Sequence, residues 1–301
     1  MAPTTPTPPA LTPFQRAQFL EHGWVRIEGG VPPANIAHFS ENVWVRLGYD
    51  PDDKSTWQKE KIHMPRHRQI PTAEFMPKAW AAICEIVGGE ERIDKTLFES
   101  CGDSLIVNLG TEEWETRDIL PKDFGNWHID GDWFTHFLDS GEQAVQLIVL
   151  FNDIAPRAGG TWIAPDGIAN VVNFLYKHPE GIDSTNMPTD ADGSRGICDI
   201  QHCSDFVELT GKAGDVIILH HFMPHSASLV EQKILRTLGV EALPDWQITG
   251  ARRRYTPTTR AGKDAMIMQE VERLKAHARE TGGVVDSMHI DGPVPYQVVT
   301  A

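Results

Sequence analysis

No stretch of the sequence approaches the roughly 18 uninterrupted apolar residues of a membrane-spanning helix. The opening MAPTTPTPPALTP is rich in proline and threonine where a secretory leader needs an apolar run, so a cytoplasmic protein is expected. Cysteine is scarce. Four of them, Cys84, Cys101, Cys198 and Cys203, are scattered through 301 residues, which argues against a disulfide framework and for reduced thiols. Basic charge is also short, with 27 Lys and Arg against 42 Asp and Glu and a net charge of −15. Such a surface repels polyphosphate, so neither nucleic acid nor an anionic membrane is an expected partner, and a small-molecule substrate is the better prior. With 41% hydrophobic and 23% charged residues, the bulk of the chain is globular and not disordered.

Residues 1–12 read as a disordered Pro/Thr-rich tail, and residues 13–301 as a single domain. Thr12 can cap a helix that starts at Pro13 and stops at His22-Gly23, ahead of the strand-like WVRI. Further helices are expected over about 33–47 and about 73–87, the latter stopped by Gly88-Gly89. After Leu97 the texture changes to short apolar or alternating runs broken by Gly, Pro and Asp: SLIVNLG, NWHID, VQLIVLF, GTWIAP, FVELTG, DVIILHH and ILRTLGVEAL. Such strands, mostly without intervening helices, indicate a mainly β chain built as an antiparallel barrel or jelly roll. An insertion over 168–205, of the kind that covers active sites, holds a helix (NVVNFLYKH) and a Gly/Asp/Ser-rich loop. A last helix is expected over 263–280.

His128-Ile129-Asp130 places an imidazole and a carboxylate on one face of a short strand, from which they could share a metal ion. Alone the pair is weak, because with thirteen histidines about one HxD arises by chance, and His289-Ile290-Asp291 is a second. The later segment GDVIILHHFMPHSASLVEQKILR lifts the first pair. It carries His220, His221 and His225 at or past the end of an apolar strand, then Arg236 on the next one. Two histidines and one carboxylate leave positions open on Fe(II) for a bidentate 2-oxo acid. An arginine one strand away is the fork that would hold the far carboxylate of 2-oxoglutarate.

These residues make the sequence resemble the phytanoyl-CoA dioxygenase family of Fe(II)- and 2-oxoglutarate-dependent oxygenases, from about residue 12 to about residue 243. His128-x-Asp130 matches the family's HxD. FNDIAPRAGGTWIAPDGI resembles its acidic turn, paired small residues and Pro-Gly corner, with Asp166 between Pro165 and Gly167. Gly214-Asp215 opens the strand leading to the distal histidine, and Arg236 falls at the usual interval after His225. The resemblance implies a double-stranded β-helix, a cupin-like jelly roll with N-terminal and C-terminal flanking helices. It implies His128, Asp130 and His225 as catalytic metal ligands, with His220 as a neighbour, and Arg236 as the anchor of 2-oxoglutarate. The implied reaction is oxidation, by default hydroxylation, of an unactivated C–H bond in a small metabolite. Desaturation, ring closure and epimerisation are not distinguished from it, and Asp130 argues against halogenation. Where the family often has a polar residue two positions after the histidine, this chain has Ala227. A protein hydroxylase and a metal-free binding protein on the same fold are the rival readings.

Other signals leave alternatives open. Asn108 and Gln146, polar residues in apolar runs, could complete the 2-oxoglutarate site or be ordinary strand-edge polarity. Lys59, Lys61, His63, Arg66, His67 and Arg68 form a basic segment that is either a solvated loop or a lid for an anionic substrate. Trp127, Trp133 and Trp162 either pack the core or wall a substrate pocket. Arg66, His67 and Trp133 are thus the candidate substrate residues. Cys198, His202, Cys203 and Asp205 fit no standard zinc spacing.

Overall fold

A computed structural model describes residues 9–59, 61–93, 100–109, 120–131, 134–139 and 142–226, together with the backbone of 227, 234–236 and 238–240. The first eight residues, Trp133, Arg252 to Arg254, the expected helix over 263–280 and the second HID lie outside the described residues.

Helix α1 (Pro13–His22) starts where the sequence dictates. Thr12 accepts from the Gln15 amide while the Gln15 side chain accepts from the Thr12 amide, a reciprocal capping box with proline at the first position. Ala10 and Leu11, expected in a loose tail, instead donate their backbone N–H groups to Glu85, and Leu11 is buried. Arg16 pairs with the same carboxylate. Strand β1 (Trp24–Ile27) follows. The expected second helix is two, α2 (Pro33–Ser40) and α3 (Val43–Leu47), parted at Asn42, whose φ of −118° leaves the helical region. The third is also split, into α4 (Thr72–Phe75) and α5 (Pro77–Val87), because Pro77 drives Met76 out of helical dihedrals. Between α3 and α4 run β2 (Lys61–His63) and β3 (Gln69–Pro71).

The remaining elements are β4 (Ser100–Gly102), β5 (Ile106–Asn108), β6 (Val145–Val149), β7 (Thr161–Ile163), α6 (Gly167–Lys177), β8 (Val207–Glu208), β9 (Val216–His220), β10 (His225–Ala227), β11 (Ile234–Arg236) and β12 (Leu238–Val240). They form small antiparallel sheets in the orders β1-β9-β6-β12, β10-β7-β8, β11-β5-β2 and β3-β4. The described architecture is therefore mixed, with helices beside small sheets.

The β1-β9-β6-β12 sheet divides two cores. Leu147, Val149, Val216 and Ile218 point toward α2 and α5, packing with Ile36, Phe39, Ile83 and Val87. The alternate residues Ile148, Leu150, Ile217 and Leu219 face the other way, onto Ile163 of β7 and Val171 and Leu175 of α6. Both faces of β6 and β9 are buried, which explains their uninterrupted apolar runs. Among the described residues no helix is long and apolar enough to cross a membrane.

Candidate metal centre

The expected strand NWHID does not form. Asn126 adopts a positive φ of 61°, which breaks the extended backbone, and only His128 makes a bridge, to His225 at the head of β10. The two residues exchange both backbone hydrogen bonds, at 3.1 and 2.9 Å. This bridge brings their rings to a centroid separation of 4.2 Å. Asp130, two residues on, places Oδ1 3.6 Å from His128 Nε2 and 3.6 Å from His225 Nε2. Candidate ligand atoms of the three residues all lie within 4.8 Å of one another, and among the described residues no other cluster of His, Cys, Asp or Glu could hold a metal.

The rings are oriented for ligation. His128 Nδ1 lies 2.7 Å from the Asn126 carbonyl and His225 Nδ1 lies 3.1 Å from that of Met223. A carbonyl can only accept, so each Nδ1 keeps the proton and each Nε2 lone pair is left for a cation. Burial first, then the neighbouring His225, pushes the pKa of His128 down to about 4, so the imidazole is neutral near pH 7. Burial pushes Asp130 up, but the polar surroundings of His225, followed by His128 and His136, outweigh it and hold the carboxyl below its usual range. Two imidazoles that turn Nε2 toward a shared point and an ionised carboxylate are the donor set that fits Fe(II).

Several residues support the cluster. Gln146 is buried in β6, with Nε2 2.7 Å from Asp130 Oδ2 and 3.1 Å from His225 Nε2. His136 is buried and acts on Asp130 electrostatically. Gly131, at φ 118°, lets the chain turn between them, since a Cβ there would fall 2.6 Å from His136 Cε1. The 168–205 insertion is stitched to the motif from both sides. Asn126 N–H donates to the Asp192 carbonyl, Arg195 N–H to that of Trp127, and Trp127 N–H to Ser194 Oγ, while His136 and Ile182 exchange backbone bonds. Asp166 fastens the end of the insertion, accepting from the amides of Ser204 and Asp205 and from the Ser204 hydroxyl. Asp215 receives the amides of Gly29 and Lys212, closing the turn before β9.

Other candidates lie elsewhere. His220 is fully buried, takes the Phe222 amide on Nδ1, and pairs across the sheet with Val145 on the helix side. Trp127 is fully buried, donates to the Pro121 carbonyl and packs on Phe206, so it belongs to the core and not to a substrate wall. Trp162 packs on Phe124. The basic segment divides. Lys61 is close enough to His128 to help lower its pKa, whereas Arg66 lies over Gly102, exposed His67 donates its amide to Asp103, and Arg68 pairs with Glu41. Arg236 sits at the register position opposite Ile106, and buried Asn108 opposite Ile234. Burial pushes the thiols of Cys198 and Cys203 up, the latter to about 12, and among the described residues no metal-ligating cluster includes them. Nothing in the sequence pattern marked His136, which stands in an irregular loop, or the partner of Gln146, which depends on how distant segments meet.

The phytanoyl-CoA dioxygenase (PhyH) family profile matches residues 19–230. The chain belongs to this family. Membership makes it an oxygenase of the iron- and 2-oxoglutarate-dependent class, with iron as its metal and 2-oxoglutarate as its cosubstrate. No curated protein matches the chain. Similar solved structures include EctD from S. alaskensis in its apoform, at 14% identity over 77% of this chain and 76% of that one, with a TM-score of 0.42. The non-heme alpha ketoglutarate dependent carbocyclase SnoK from nogalamycin biosynthesis is 15% identical over 77% and 84%, with a TM-score of 0.40. The epimerase SnoN, in complex with Fe3+, alpha ketoglutarate and nogalamycin RO, is 15% identical over 74% and 79%, with a TM-score of 0.39.

Proposed function

We propose that this family member folds around a double-stranded β-helix and oxidises, by default hydroxylates, an unactivated C–H bond of a small metabolite. In this reading His128, Asp130 and His225 hold Fe(II), and Arg236 with Asn108 receives the far carboxylate of 2-oxoglutarate. The observation that carries it is the convergence of two imidazole Nε2 atoms and one carboxylate oxygen, each imidazole oriented by a backbone carbonyl. Bound iron and cosubstrate together supply the oxidising power that no side chain has.

The chain's own residues do the rest. His128 and His225 donate their Nε2 lone pairs. Asp130 supplies negative charge to balance the cation. The guanidinium of Arg236 is the group suited to a two-pronged bond with a carboxylate, and Asn108 can add a hydrogen bond. The 182–195 part of the insertion, bonded to both flanks of the HxD motif, holds the motif in place. Within the described basic segment, Lys61, whose charge reaches His128, is the residue placed for an anionic substrate.

Anaerobic Fe(II) reconstitution followed by titration with 2-oxoglutarate tests this reading. The wild type should bind one iron and develop a visible charge-transfer band with cosubstrate. His225→Ala should lose both. Full iron binding and turnover in His225→Ala would overturn the assignment.

A further inference from the structure

We propose that Gln146 is a positioning residue for the metal centre, whose side-chain amide holds Asp130 by one carboxylate oxygen and so aims the other at His128 and His225. The inference rests on the iron reading above and gives Gln146 a role with the metal and not with 2-oxoglutarate.

Gln146 is the polar residue of VQLIV, a strand buried on both faces, and stands opposite Leu219 of β9 on the side that faces β7 and α6. A primary amide in such a place must find partners. Its Nε2 finds two, Asp130 Oδ2 at 2.7 Å and His225 Nε2 at 3.1 Å. Both partners are acceptors. Asp130 is a carboxylate, and the proton of His225 is engaged by the Met223 carbonyl, so His225 Nε2 carries a lone pair. The amide must therefore present its NH2 group here, one hydrogen to each. Its Oε1 is buried without a hydrogen-bond partner among the described residues, and a flipped amide would set that oxygen against a carboxylate.

The consequence at Asp130 is directional. Oδ2 is taken by Gln146, and Oδ1 is the oxygen 3.6 Å from both Nε2 atoms. A carboxyl group without this restraint turns broadly about its last torsion and offers either oxygen. The two amide hydrogens differ in what they do. The one on Asp130 Oδ2 leaves the donor set intact, while the one on His225 Nε2 occupies the lone pair that a cation needs and must yield to it. Gln146 thus fixes one ligand and masks another until metal arrives.

The test strips the full chain of metal and titrates it anaerobically with Fe(II), and with Co(II) as a visible reporter, in the wild type, Gln146→Met and Gln146→Leu. Both substitutions remove the amide with little change in volume. Loss of an outer partner of a metal ligand should weaken metal binding by about 10- to 100-fold and alter the visible spectrum of the Co(II) form. The melting temperature of the metal-free protein should stay close to wild type in at least one variant, and affinity for 2-oxoglutarate at saturating metal should barely change. Unchanged metal affinity in a folded variant overturns the proposal, and if 2-oxoglutarate binding falls instead, Gln146 is a cosubstrate contact. A drop in metal-free melting temperature in both variants that parallels the affinity loss reduces Gln146 to a structural role and also overturns it. A wild type that binds neither ion, or binds them equally well as His225→Ala, overturns the iron reading itself.

Discussion

At the scale of single residues, the buried histidines His136 and His221 are kept neutral by enclosure. Burial pushes His136 down to about 4 and His221 to about 3. Unfolded, both would titrate near 6.5, so between about pH 6.5 and 4 the unfolded chain binds more protons. Their contribution to stability is complete above about pH 6.5 and is lost as the pH falls toward 4. For His136 it is on the order of 3 kcal/mol. Denaturant midpoints of the metal-free protein should drop through this window, and His136→Asn should flatten the dependence. Gly131→Ala tests the same neighbourhood by sterics. A side chain at φ 118° against the His136 ring should lower both melting temperature and iron affinity, read by calorimetry and metal titration. The HxD pair became legible only beside the later segment that carries His225, and the i, i+2 parity that first drew the two residues together belonged to a strand that does not form. The role of Gln146 was not legible, because its partners are brought together only by tertiary register.

Among the elements, α1 shows local chemistry deciding an outcome. Its start at Pro13 follows from Thr12 and Gln15, and Thr12→Ala should cost about 1 kcal/mol, measurable as a shift in the denaturation midpoint. The helices drawn too long failed for readable reasons. Pro77 forbids helix at Met76, a signal present in the sequence, while the parting at Asn42 has none so plain. The strand expected at NWHID failed because Asn126 takes a left-handed turn that no alternation of polar and apolar residues announces. Strand β2 and the turn after it send the basic segment in two directions. Lys61→Glu should raise KM for an anionic substrate several-fold, whereas Arg66→Glu should leave it unchanged, because Arg66 lies over Gly102 of β4. Steady-state kinetics of the two variants separate the cases, and equal effects would count against the division.

For the molecule as a whole, ligand binding should appear as stability. In the wild type loaded with iron, 2-oxoglutarate at about 100 times its Kd adds about 2.7 kcal/mol. Arg236→Ala should abolish most of this gain while the metal-free protein melts nearly as before. A fall in metal-free melting temperature with cosubstrate affinity intact would instead make Arg236 a structural residue. The architecture was legible in coarse terms, short antiparallel strands after a helical opening, because periodicity reports which face of a strand is buried. How the strands order into separate small sheets was not, since pairing partners lie far apart along the chain.

The bridge between His128 and His225 carries one more consequence. Strands β6 to β9 and helix α6 all lie between these two residues in sequence. During synthesis the ribosome must complete nearly the whole sheet before the second imidazole exists to meet the first. In the proposed centre, a growing chain therefore offers iron only one histidine and one carboxylate, a pair expected to compete weakly for it, and metal capture is expected to wait until β10 has emerged. Loading then reports on folding, and a chain stalled or cut before β10 should leave the synthesis machinery without iron.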